Sequence, residues 1–93
     1  MYTAMTAAAA ETLTLKAFGF LVNSPAALDR FLAESGSDIL NLRARAAEPE
    51  FLAAVMDFLL ADDGVAGAFC DSEGIEPAML HRARRALPGA APG

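Results

Sequence analysis

The chain has 93 residues, a net charge of −5 and a hydrophobic fraction of 55%. This length is typical of one small domain and excludes a second independent domain, and the apolar content excludes intrinsic disorder. The negative charge opposes contact with nucleic acid and with anionic membranes, so neither is an expected partner. The N-terminus lacks the basic segment of a signal peptide and the apolar runs are too short to cross a membrane, so the sequence predicts a cytoplasmic protein.

Proline, glycine and the helical spacing of apolar residues predict an all-α fold, a compact bundle of five or six short helices. The first helix comprises residues 11–22, with residues 1–10 as its N-terminal extension. The second helix begins at Pro25 after the N-cap Ser24. Gly36 ends it, because glycine readily adopts the left-handed conformation of a C-cap.

The second half of the chain shows the same pattern, in which proline or a capping residue begins a helix and proline or glycine ends it. The remaining predicted helices are residues 38–47, residues 50–61 after Pro49, a helix capped by Asp62 or Asp63 and ended by Gly74, and a helix from Pro77 to about Leu87. The helix over residues 50–61 is the most apolar, so we expect it at the centre of the bundle. Residues 88–93 form a predicted flexible tail, and the single domain therefore comprises residues 11–87.

Apolar residues at helical spacing predict the core. Its expected members are Phe20, Phe31, Phe51, Leu52, Val55, Phe58, Leu59, Phe69 and Leu80. The first helix carries two adjacent apolar stripes, one of Leu13, Ala17, Phe20 and Leu21 and one of Leu15, Phe18 and Val22. A domain this small cannot readily enclose both stripes, so we expect a homodimer with the first helix at its seam and the last helix as a further candidate.

A shift of 38 positions aligns the first three predicted helices with the last three. The identical pairs are Phe20 and Phe58, Leu21 and Leu59, Phe31 and Phe69, Gly36 and Gly74, and Leu42 and Leu80. This number of identities is little above what chance gives for so biased a composition. Two descriptions therefore stay open, a single bundle and a bundle of two pseudo-repeated three-helix units.

Basic residues supply the candidate binding site. Each half contains a helix, a glycine turn and a second helix at a spacing that resembles the helix-turn-helix of DNA-binding proteins. The basic residues of the second helices are Arg43, Arg45, Arg82, Arg84 and Arg85, which are candidate contacts for an anion or a protein partner. Nucleic-acid binding through these arginines is the alternative to a protein-interaction module, and the net negative charge weighs against it.

Residues with chemical reactivity are few. Cys70 is the single cysteine and lies on an apolar stripe without a neighbouring base, so we expect a core residue. His81 lies among arginines and is expected at the surface. The sequence has no glycine-rich phosphate loop, nucleophile elbow or calcium loop. We therefore expect no enzyme activity, no cofactor and no metal, and we interpret the chain as a small protein-interaction module with an unknown partner.

Two runs of sequence carry a family resemblance, LRARA at residues 42–46 and PEFLAAVMDFLL at residues 49–60. Together with their flanks they make residues 11–89 resemble a family of small alphaproteobacterial proteins known only as domain of unknown function 3572. The resemblance implies a compact bacterial cytoplasmic protein and carries no catalytic residues to transfer. Residues 37–41 depart from the family pattern of an apolar residue and a proline, so the start of the third predicted helix is less well defined than its end.

Overall fold

The computed structural model describes residues 5–36, 44–45 and 48–87. Within these ranges the chain forms an all-α bundle of five helices and no strand. The helices are α1 (Ala7–Val22), α2 (Pro25–Ser35), α3 (Pro49–Ala61), α4 (Asp63–Glu73) and α5 (Pro77–Arg85). The predicted all-α class is confirmed, and the predicted extension at residues 7–10 is the first turn of α1 itself.

Helix ends follow from short polar side chains and glycines. Thr6 caps α1 and Asp62 caps α4, since each side-chain oxygen accepts a hydrogen bond of 3.1 Å from the backbone N–H three residues later. Gly36 and Gly74 end α2 and α4 with φ of 68°, a conformation that strains any residue with a Cβ atom. Ser24 occupies the N-cap position of α2 but its side chain makes no capping hydrogen bond, and Pro25 at the first helical position favours the start of the helix through its fixed φ.

Helix α3 is the centre of the bundle, as its composition predicts, and it contacts each of the other four helices. The buried apolar residues are Ala10, Ala17, Leu21, Ala27, Leu28, Phe31, Phe51, Leu52, Ala53, Val55, Met56, Phe58, Leu59, Phe69, Cys70, Leu80, Ala83 and Leu87. Phe20 is the one predicted core residue that is only partly buried, because it lies at the margin of the core with its ring 5.6 Å from that of Phe69.

Three small side chains and one leucine place α1 against the core. Its fully buried residues are Ala10, Thr14, Ala17 and Leu21. The predicted inner stripe is therefore displaced, since Leu13 is only partly buried. Thr14 tolerates burial because its hydroxyl donates a hydrogen bond of 2.7 Å to the Ala10 carbonyl. Helix α1 contacts α3 and α5 in the bundle, and the small alanine and threonine side chains on its buried face favour close packing.

The two proposed repeats share local features in the described residues. Gly36 and Gly74 adopt the same left-handed conformation, and each donates its backbone N–H to the carbonyl four residues earlier. The capping positions differ, since Asp62 makes a side-chain cap that Ser24 does not. Most of the third predicted helix, residues 38–47, lies outside the described residues, and the two described members of it, Ala44 and Arg45, are helical.

Candidate functional site

The side of α1 that faces away from the core is unusually apolar. Five exposed residues, Ala8, Thr12, Leu15, Gly19 and Val22, follow one another at spacings of four, three, four and three, and we call this surface the outer face of α1. Leu15 and Val22 are 47% and 49% exposed, and they are the exposed large hydrophobic residues of the described chain. A spacing that alternates between three and four is the pattern by which one helix packs against another.

The outer face lies opposite the buried face of the same helix. The buried residues Ala10, Thr14, Ala17 and Leu21 repeat the same spacing, displaced by two positions. Two positions rotate a side chain by about 200° around a helix, so the two sets point in nearly opposite directions. The core therefore occupies one side of α1 and leaves the outer face open along about 21 Å of helix.

Phe18 separates the two faces. Its ring is partly buried and meets the ring of Phe51 edge-to-face with 5.5 Å between centroids. Phe51 in turn contacts Phe31, whose ring lies 5.5 Å from that of Phe58. The predicted second stripe of Leu15, Phe18 and Val22 is therefore divided, since Phe18 belongs to the margin of the core while the other two residues are exposed.

Gly19 has no steric requirement within the described part of the chain. Apart from its two chain neighbours and the nearby backbone of its own helix, a Cβ atom at this position would meet no atom within 4 Å, and the φ of Gly19 is not positive. Glycine inside a helix costs about 0.5–1 kcal/mol relative to alanine. The fold of the single chain therefore gives no reason for glycine here, whereas a helix that approaches the outer face closely would need one.

Charged residues flank the outer face on both sides. Glu11 lies beside Leu15 on one edge and Lys16 lies on the other. The Lys16 Nζ is 3.8 Å from the Glu73 Oε1 of α4, at the outer limit of an ion pair, and the Lys16 side chain is 58% exposed. Helix α1 therefore carries one acidic and one basic residue in a chain with a net charge of −5.

Two of the predicted arginines contact carboxylates of the same chain. Arg84 turns towards α3, where its Nε and a terminal nitrogen donate hydrogen bonds of 2.6 and 3.3 Å to the Asp57 carboxylate. Arg45 lies 5.6 Å from the centre of the Phe51 ring, and its Nε is 3.5 Å from the Glu48 carboxylate. Both side chains are thus engaged with carboxylates of the same chain, and Arg84 is only 16% exposed.

The other predicted arginines have different surroundings. Arg82 is partly buried and lies near Glu76 in the turn between α4 and α5. Arg85 is exposed on the last turn of α5. Arg43 lies outside the described residues. Gly74 lies in the turn between α4 and α5, where the helix-turn-helix spacing predicts a glycine. Arg84 on the second of these helices links α5 to α3.

One charged cluster was missed by the sequence-based prediction. Arg30 of α2 places a terminal nitrogen 2.7 Å from the Asp62 Oδ2, and its guanidinium lies 5.5 Å from the centre of the Phe58 ring. The Val65 N–H and the Arg30 guanidinium both favour the carboxylate, so the pKa of Asp62 lies below its ordinary value of 3.8. The signal in the sequence is weak, because 32 positions separate the two charges and only the fold brings them together.

A shallow groove of about 380 Å³ lies beside this cluster, between the turn that joins α1 to α2 and the start of α4. Its lining includes Phe20, Pro25 and Val65, and Arg30 is the one charged residue among the described residues of the lining. Because Arg30 already holds the Asp62 carboxylate, the groove offers a small molecule mainly apolar contact.

The reactive residues lie where the sequence predicts them. Cys70 is buried, and burial together with the nearby Asp71 charge raises the pKa of its thiol. His81 is exposed on α5. Among residues 5–36, 44–45 and 48–87, no three histidine, cysteine, aspartate or glutamate side chains are placed to share a metal ion. The described helices are also too short or too polar to cross a membrane.

Comparison with other proteins identifies the family. Searches of curated proteins and of solved structures give no match. A family model described as "Protein of unknown function (DUF3572)" matches residues 7–90, which include all five helices and the outer face of α1. The resemblance carried by the LRARA and PEFLAAVMDFLL runs is thereby confirmed, and the chain belongs to the DUF3572 family.

Proposed function

We propose that this protein is a non-enzymatic protein-interaction module that docks an amphipathic helix on the outer face of α1. The observation that carries the proposal is the exposed run of Ala8, Thr12, Leu15, Gly19 and Val22 at helix-packing spacing. A helix that is buried on one side normally presents charged and polar residues on the other. Here the exposed positions are apolar or small, which favours a second contact surface.

The small residues of the outer face support a helical partner in particular. Gly19 lies between Leu15 and Val22 and leaves a gap between two large side chains. Thr12 adds no free polar group, because its hydroxyl donates a hydrogen bond of 3.0 Å to the Ala8 carbonyl. A large side chain of a partner helix can enter such a gap and place its neighbours against Leu15 and Val22.

Nucleic acid is the less supported partner. Arg84 and Arg45 are engaged with Asp57 and Glu48, so a phosphate would have to compete with carboxylates of the same chain. The net charge of −5 adds a general repulsion. No comparable cost opposes a protein helix on the outer face of α1.

Site-specific crosslinking in the cells that naturally produce the protein tests this function. A photoreactive amino acid replaces Leu15 in one variant and Ala33, an exposed residue of α2, in the matched control. We expect an adduct at position 15 that the control lacks, with the crosslinked peptide of the partner located in an amphipathic helix by mass spectrometry. The adduct should disappear when Val22→Arg is added. Equal labelling at both positions, or none, contradicts the proposal.

A further inference from the structure

We infer that the helix docked on the outer face of α1 is the α1 of a second copy of this chain, so that the protein is a twofold dimer with paired α1 helices. This inference rests on the proposed function, because it names the partner of the same surface. Three observations support a second copy over a different protein: the charge of α1, the spacing of Glu11 and Lys16, and the position of the core.

The charge of α1 permits self-association in an acidic protein. Two copies with a net charge of −5 repel each other over most of their surfaces. Helix α1 has no net charge, since Glu11 and Lys16 balance, so the repulsion is smallest where two outer faces meet. A strongly charged protein of another kind would gain no electrostatic attraction from a surface without net charge. A second acidic copy of this chain meets the least electrostatic repulsion there.

The two charges are also spaced to meet their counterparts. If Leu15 and Val22 occupy equivalent seam positions of two parallel helices, Glu11 and Lys16 are the flanking residues on opposite edges. Their separation of five positions places Glu11 of one copy beside Lys16 of the other, and the twofold axis generates the same pair again. The contact of Lys16 with Glu73 is long enough, at 3.8 Å, to leave its ammonium accessible to a second carboxylate.

The position of the core leaves room for the second copy. The buried and outer faces of α1 are about 200° apart around the helix axis, so two paired helices carry their domains on opposite sides of the seam. Gly19 then faces its equivalent in the partner at the closest approach, which explains a glycine that the single chain does not need. The same arrangement covers Leu15 and Val22 in both copies.

The expected affinity is modest. A seam of about 21 Å on one helix is shorter than the three or four heptads of an independent coiled coil. It also buries less than the roughly 800 Å² per partner that a standard stable interface uses. We therefore expect a dimer that forms and dissociates across the micromolar range, rather than one that persists at nanomolar concentration.

Sedimentation equilibrium of the full chain from micromolar to millimolar concentration tests the inference. We expect the average mass to rise from the monomer value of 9.7 kDa towards twice that value. Leu15→Arg should remain monomeric over the same range, while Ala33→Arg, which adds the same charge at an exposed position of α2, should dimerise like the original chain. Circular dichroism establishes that each variant keeps its helices.

Charge exchange tests the pairing itself. Glu11→Lys and Lys16→Glu should each weaken the dimer several-fold, because each places like charges together twice across the axis. The double variant should recover the original association, which a structural role of either residue within one chain would not produce. Failure of the double variant to recover contradicts the parallel pairing.

The outcomes separate this inference from the proposed function. A constant mass of 9.7 kDa up to millimolar concentration overturns the second copy as partner. If the cellular crosslink at position 15 then identifies a helix of another protein, the interaction function stands with a different occupant. If both experiments are negative, neither proposal holds. A dimer that Leu15→Arg leaves intact also overturns the inference, because its seam would lie elsewhere.

Discussion

Phe31 joins α2 to the central helix, and its replacement should reveal how the aromatic core is stabilised. Its side chain is 2% exposed, and its ring meets those of Phe51 and Phe58 edge-to-face at centroid distances of 5.7 and 5.5 Å. Phe31→Ala removes the ring and leaves a cavity, whereas Phe31→Leu keeps most of the volume and removes both ring contacts. The pair of variants therefore separates the contribution of packing from that of ring geometry.

The magnitudes follow from burial and contact geometry. Phe31→Ala should lower the free energy of unfolding by about 3–5 kcal/mol, the usual cost of deleting a buried phenyl ring. Phe31→Leu should lower it by about 1–3 kcal/mol, because two edge-to-face pairs at about 0.5–1.5 kcal/mol each are lost. A chain of 93 residues has a total stability of about 5–14 kcal/mol, so at the lower end of this range the alanine variant lies close to the limit of folding.

Urea denaturation followed by circular dichroism at 222 nm measures both variants, because the chain contains no tryptophan to serve as a fluorescent probe. Leu15→Ala, measured in protein dilute enough to be monomeric, is the control, since a residue outside the core should change the stability of the monomer by less than about 0.5 kcal/mol. If Phe31→Ala lowered the free energy of unfolding by less than about 1 kcal/mol, Phe31 would not be a core residue. Equal losses in the two variants would show that ring geometry, and not volume, dominates.

Three further predictions concern single residues. Gly19→Ala should stabilise the monomer by about 0.5–1 kcal/mol. Gly74→Ala should destabilise the monomer, because the φ of Gly74 is positive. Urea denaturation of dilute protein compares the two variants. Because the pKa of Asp62 is lowered in the folded state, its contribution to stability is present above the ordinary value of 3.8 and lost as the pH falls through the folded-state pKa. Asp62→Asn should therefore flatten the acid side of the stability profile measured by thermal denaturation. Cys70 should react with iodoacetamide more slowly than free cysteine at pH 8, and fast labelling of the native protein would contradict its burial.

The helices were largely predictable because their ends are determined by local chemistry. Pro25, Pro49 and Pro77 each begin a helix, since a proline at the first helical position loses no hydrogen bond. Gly36 and Gly74 end helices through a conformation that other residues adopt at a cost. These signals act within a few residues and need no knowledge of the tertiary structure.

The charged contacts were not predictable because they depend on the fold. Arg84 reaches Asp57 across 27 positions, and Arg30 reaches Asp62 across 32. Their sequence neighbours give no signal of these partners, so the sequence predicts the arginines of α5 only as candidate contacts for an anion or a protein partner. The structure shows that Arg84 links α5 to α3 through the Asp57 carboxylate.

The outer face of α1 was only partly predictable because α1 carries large apolar residues around most of its circumference. Ranking side chains by size favours Leu13, Phe18 and Phe20 as buried residues, yet each of them is only partly buried. The helix instead turns Ala17 and its small neighbours inward on the side of α1 that packs in the bundle with α3 and α5, and close packing there gains dispersion contacts. Leu15 is left outside as a consequence, even though it is larger than Ala10, Thr14 and Ala17, which the same helix buries. Substitutions at Leu15 should therefore change association without changing the stability of the monomer. Substitutions at Ala17 should change the stability of the monomer without changing the surface through which it associates.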